Sequence, residues 1–121
     1  MNSDSIKEIL SLLPSCSKVS DWLCGNGSYL SVASTLWNAE CKGFDVDENN
    51  INQYVGPDHS YHILDFNKEI PLWNCDLAMC LNTIHHLKDD IGKMVVKGLC
   101  DSAPIVLFSS AIPNADNNFE N

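Results

Sequence analysis

Residues 18–37 constrain the fold most. Lys18 to Leu23 is a strand-like run, and the small turn behind it holds Gly25 and Gly27. Tyr29, Val32, Ala33, Leu36 and Trp37 then recur at helical spacing. A strand that passes directly into a helix cannot close a tight hairpin, so the next strand is expected to lie parallel to it. That next strand is the run 40–46, ECKGFDV, whose last polar residue is Asp45.

The same alternation continues in both directions. Ile6, Ile9, Leu10 and Leu13 make a short amphipathic helix ended by Pro14. DENNINQYV reads as a helix capped by Asp47. Strands are predicted at 60–66, 75–82 and 104–110. The second of these is nearly continuous in apolar character, as a strand covered on both faces should be. Ile91, Met94, Val95 and Leu99 mark a helix between the last two. The order implies an α/β fold: a doubly wound, mainly parallel sheet of about five strands with helices on both faces, as a single domain over residues 1–121. The tail NADNNFEN is polar and expected to be loose.

Composition narrows the partners. Sixteen acidic and seven basic residues leave a net charge of −9, which disfavours nucleic acid, because phosphate-backbone affinity comes largely from Lys and Arg. No apolar run approaches the ~20 residues of a membrane span, and the N-terminus lacks a basic region followed by an apolar block. A soluble, cytoplasmic protein is expected. Cys16, Cys24, Cys41, Cys75, Cys80 and Cys100 form no C-x-x-C pair. Buried thiols are therefore expected, and no metal site. Trp22 and Trp37 fall on packing positions, whereas Trp73 lies in a loop context that suits stacking on a ligand.

In an open parallel sheet, ligands bind beyond the carboxyl ends of the strands, where strand order reverses. Gly25 and Gly27 let the backbone approach a ligand there. Asp45, eighteen residues after Gly27, stands where a carboxylate can accept both hydroxyls of an adenosine ribose. A dinucleotide G-x-G-x-x-G would put its third glycine at Leu30, so that fingerprint is broken.

SDWLCGNGSYL resembles the first motif of class I S-adenosylmethionine-dependent methyltransferases, an acidic residue followed by x-G-x-G-x-G. Three further stretches follow in register. GFDVDENN is similar to the motif that supplies the ribose carboxylate. ILDFN is similar to the segment near the adenine amino group, and CDLAMCLNTIHHL to the fourth-strand motif. The resemblance spans about residues 15–112 and implies a Rossmann-like core with strand order 3-2-1-4-5. It implies S-adenosylmethionine as cofactor and a small-molecule methyl acceptor. By position it gives the cofactor Asp21, Leu23, Cys24, Gly25, Gly27, Asp45, Val46, Asp65, Phe66 and Asn82. His85 and His86 are then the candidate catalytic residues, since an imidazole beside the acceptor could take a proton from an oxygen or nitrogen nucleophile. FSSAIPN resembles the acceptor-side loop of some small members and sets Ser109 and Ser110 there.

The chain departs from the family pattern in two ways. Leu23 replaces the first glycine, and a left-handed backbone at that position would cost a leucine about 1–2 kcal/mol. The further helix and antiparallel hairpin of the family are not found in these 121 residues, which implies a core truncated at its C-terminal side. The edge of the fifth strand is then open to self-association. Two other readings follow: a non-catalytic module of the same fold, favoured by both departures, and an NAD-binding oxidoreductase fragment, disfavoured by Leu30.

Overall fold

The computed structural model describes residues 2–81 and 88–109. Helix α1 (Ser3–Ser11) opens on Asn2, whose side chain accepts from the Ser5 N–H at 2.8 Å. It buries Ile6 and Leu10 against α2 (Ser28–Trp37). The strands are β1 (Lys18–Trp22), β2 (Glu40–Asp45), β3 (Tyr61–Ile63), β4 (Leu77–Cys80) and β5 (Ile105–Phe108), with α3 (Asp89–Ser102) between the last two. All strand pairs are parallel and the order is β3-β2-β1-β4-β5. The doubly wound α/β reading and its strand order therefore hold.

Two apolar layers sandwich the sheet, because successive side chains of a strand point to opposite faces. Val19, Cys41, Leu77 and Met79 meet α1 and α2 through Ile6, Leu10, Leu30 and Ala33. Trp22, Phe44, Ala78 and Cys80 meet Val95 and Leu99 of α3 on the other side, together with Phe66. Full burial of a side chain such as Leu77 or Leu99 contributes about 1.5–3 kcal/mol. Asp76 straps the base of the sheet together. Its Oδ2 accepts from the Ser17 N–H (2.9 Å), the Ser17 hydroxyl (2.8 Å) and the Lys18 N–H (2.9 Å). These donors hold its carboxyl below the usual range.

Four elements differ from the sequence expectation, β4 and β5 spanning four residues each where 75–82 and 104–110 were expected. The segment after β2 is a 3₁₀ helix, Glu48–Gln53, capped as expected by Asp47, which accepts from the Asn49 N–H at 2.9 Å. ENNINQ has no apolar stripe to bury, and its asparagines compete with the backbone for hydrogen bonds, so a longer α-helix has nothing to stabilise it. The third strand is three residues rather than seven. After Leu64 the chain turns, with the Asp65 carbonyl accepting from the Lys68 and Glu69 N–H groups at 2.9 and 3.0 Å.

Candidate functional site at the glycine turn

Strand order reverses between β1 and β4, and the turn between β1 and α2 sits at that reversal. Leu23 (φ 58°), Gly25 (φ 56°) and Gly27 (φ 79°) all take left-handed backbone. Every second residue being left-handed curls the turn back on itself. Its bonds hold it to β2. The Cys24 N–H donates to the Phe44 carbonyl (3.1 Å), and the Gly25 N–H donates to Asp45 Oδ2 (2.8 Å). The other carboxylate oxygen of Asp45 accepts from the Val46 N–H at 2.7 Å. The same oxygen also accepts a longer bond from the Asp47 N–H at 3.4 Å, and since a carboxylate offers about four lone-pair sites, Asp45 keeps room for a further donor. Gly27 caps α2 without a side chain, leaving the first N–H groups of the helix beside the turn.

Asp21 lies behind this turn in the central strand, paired in register with Gly43 and Met79. It is 1% exposed, and its Oδ2 has no hydrogen-bond partner among the described residues. Burial drives its carboxyl well above the usual carboxylate range, and the like charge of Asp45 adds to the effect. Cys24, Cys41 and Cys80 share the surroundings. Burial raises all three thiols, Cys41 to about 11 and Cys80 to about 12, so none is a nucleophile at neutral pH.

The other candidates divide by position. Val46, just past Asp45, is 55% exposed, an apolar side chain left at the mouth of the turn. Asp65 follows β3 and its carboxylate accepts from the Asn67 N–H at 2.9 Å, an Asx turn that keeps it at the same end of the sheet. The Phe66 ring is buried against Trp22, with centroids 5.6 Å apart, so its side chain belongs to the core beneath the site. Leu23 packs its side chain with Leu64 and Ile91 against the core layer of α3. Asn82, His85, His86 and Ser110 lie outside the described residues. Among the described residues no group of three or more His, Cys, Asp or Glu could hold a metal ion, and no helix is long and apolar enough to cross a membrane.

Tyr54 was not visible from the sequence as part of this region. A Cβ on Gly27 would overlap its ring, and so would one on Gly56. The Tyr54 hydroxyl and Ser60 Oγ share a hydrogen bond of 2.5 Å, and the Val55 N–H donates to the Asn26 carbonyl at 2.7 Å. The lack of a side chain at Gly27 thus admits this ring. The Gly56-Pro57 pair following it is the one local signal that the chain turns there.

The residues suit a group that brings hydrogen-bond donors and an apolar ring to the same place. Asp45 has room for a further donor and Val46 offers an exposed apolar surface, while the unpaired Asp21 oxygen is buried behind the turn.

No protein-family model and no curated protein matches the chain. Solved structures do. DesVI from Streptomyces venezuelae superposes over 93% of this chain and 52% of its own, with a TM-score of 0.78 at 16% identity. The fold is the doubly wound, Rossmann-like one of solved methyltransferases. Magnesium protoporphyrin IX methyltransferase from Synechocystis, solved with bound SAM, gives 0.74 at 20% identity over 93% of this chain and 58% of its own. CalS10, an amino pentose methyltransferase from Micromonospora echinaspora solved with SAM, gives 0.72 at 16% identity over 91% and 49%. The chain therefore spans about half the length of these structures.

Proposed function

We propose that the chain is the cofactor-binding core of an S-adenosylmethionine-dependent methyltransferase that acts on a small-molecule acceptor in the cytoplasm. The observation that carries this reading is the left-handed turn at the end of β1, tied through the Gly25 N–H to Asp45 at the point where strand order reverses. The solved neighbours support it, two being methyltransferases with SAM bound and a third a sugar N-methyltransferase from Streptoalloteichus.

On this reading Asp45 holds the ribose hydroxyls and Val46 packs against the adenine. Asp65 stands at the adenine edge, and the backbone of Leu23 to Gly27 lines the cradle. Asp21 and Asn82 complete the cofactor side. When bound, the cofactor supplies an activated methyl group on sulfur. The protein's contribution is to hold the acceptor in line with it, and His85 and His86 would take the acceptor's proton. Carboxylates at the cradle serve binding and stay out of the proton transfer.

A second reading, a non-catalytic module of the same fold, is favoured by Leu23. Thermal unfolding with S-adenosylmethionine, S-adenosylhomocysteine and NAD separates the two. A ligand present at ~100 times its dissociation constant adds about 2.7 kcal/mol, a midpoint shift of several degrees for a chain of this size. A shift with the methyl-donor pair that Asp45→Ala abolishes is expected. A shift with NAD alone would make the chain an oxidoreductase fragment, and no shift with any ligand leaves the non-catalytic module.

A further inference from the structure

On the α3 face of the sheet the connection from β3 to β4 crosses in front of α3. Its residues alternate between anchor and display. Ile70 and Trp73 pack against the core layer of α3, and Lys42 lies over the Trp73 ring at 4.7 Å from its centroid. The Cys75 N–H donates to the Ser102 carbonyl at 2.9 Å and pins the end of the segment. Gly98 lets the connection close on the helix, since a Cβ there would stand 2.7 Å from Ile70 Cγ2. Between these anchors Leu72 is 99% exposed. With Met94, 51% exposed and lining one hollow with it, Leu72 makes a contiguous apolar patch rather than a lone surface leucine, and such patches mark contact sites.

Hollows flank the ridge. One, of about 280 Å³, is lined mainly by apolar atoms of Ile70, Pro71, Trp73, Met94 and Gly98, with Leu72 itself as one wall. The other, of about 320 Å³, runs from Leu72 to Phe44 and His62. A single protruding side chain beside a hollow of suitable size is the shape that a two-fold axis makes self-complementary, each knob entering the partner's hollow. Charge selects the same occupant. The charged residues lining the two hollows are Lys97 with Asp101 and Lys42 with Glu69, a balanced set on a molecule of net charge −9. Copies of so acidic a chain repel over most approaches, and meet with least penalty where the local charge cancels. Lys97 and Asp101, 2.6 Å apart and well exposed, can exchange partners across such an axis.

We propose that the Leu72 ridge is the contact surface of a two-fold homodimer, with Leu72 of each copy seated in the hollow between the 70–74 segment and α3 of the other. This surface is separate from the outer edge of β5, where an open strand would also invite self-association. It does not depend on the cofactor reading.

Sedimentation velocity of the full chain between about 1 and 300 µM tests it, at low and at high salt. The expected result is a concentration-dependent monomer–dimer equilibrium that tightens as salt screens the net charge. Leu72→Asp and Met94→Lys should each weaken it by about tenfold or more. Both side chains are at least half exposed, so unfolding curves of the variants should match the parent. Leu72→Met should retain the dimer, and Phe108→Lys on β5 should leave it unchanged. A monomer throughout the range overturns the proposal. So does a dimer indifferent to Leu72→Asp, or one that Phe108→Lys removes, which would move the contact to the β5 edge.

Discussion

Asp45 serves the folded chain before any ligand arrives. Its carboxylate holds the Gly25 N–H and its own following N–H, and hydrogen bonds to a charged group are worth about 1.5–3 kcal/mol. Asp45→Ala is therefore expected to lower stability by about that amount in urea titration, besides losing the ligand shift. Leu23 carries a different lesson. Its left-handed backbone is part of the fold, at a cost of about 1–2 kcal/mol for a residue with a side chain. Leu23→Gly relieves the backbone but gives up packing against the α3 layer. Little net change in stability is expected, and a change in cofactor affinity of less than about threefold by calorimetry. A large gain in affinity would show that the leucine side chain obstructs the cradle. Asp21 makes stability pH-dependent. Its folded carboxyl titrates well above its unfolded value, so its contribution is complete below about pH 3.8 and is lost progressively as pH rises toward the folded value. Asp21→Asn should flatten the fall in unfolding free energy across that window, measured by urea titration at intervals from pH 4 upward. Asp45 was legible in the sequence because strand ends are visible in apolar patterning. The isolation of Asp21 was not, since it depends on neighbours from β2 and β4 closing over it.

At the scale of elements, period and punctuation read well. Strand β1, helix α2 and strand β2 follow from alternation, two glycines and an acid, and they assemble close to their expected bounds. What failed was length. The helix after β2 shortens because a polar segment with nothing to bury does not extend regular structure, and the third strand stops at Ile63 because the chain turns at Asp65. The packing of Tyr54 into Gly27 was illegible for another reason, as it joins residues far apart in sequence with no shared pattern. It gives a sharp test. Gly27→Ala meets both a left-handed backbone and the Tyr54 ring, and a loss of about 2 kcal/mol or more is expected. Tyr54→Leu should recover part of that loss in a double-mutant cycle, with a coupling of about 0.5–3 kcal/mol. No coupling would mean that the backbone alone sets the cost.

For the whole molecule, charge is the dominant global term. With 16 acidic and 7 basic residues, self-repulsion opposes compaction at neutral pH. Raising salt from about 0.01 M to about 0.1 M shortens the screening length from ~30 Å to ~10 Å, and the unfolding midpoint of the parent chain should rise with it. A midpoint that falls with salt would mean that specific ion pairs outweigh the repulsion. Among the described residues the ion pair Lys97–Asp101 is exposed and offers little to lose.

The strap at Asp76 has a consequence in time. Strand β1 lies between β2, which follows it almost at once, and β4, whose leading Asp76 is 58 residues from the Lys18 it binds. On a ribosome β1, α2 and β2 emerge together, but the second flank of β1 stays bare until β4 is made. From residue 45 to residue 80 is 35 residues, or about 2–7 s of synthesis at about 5–20 residues per second. During those seconds the β4 side of β1 is unpaired, and Trp22 still waits for Ala78 and Cys80. A nascent-chain chaperone would find its strongest grip on this protein in that interval.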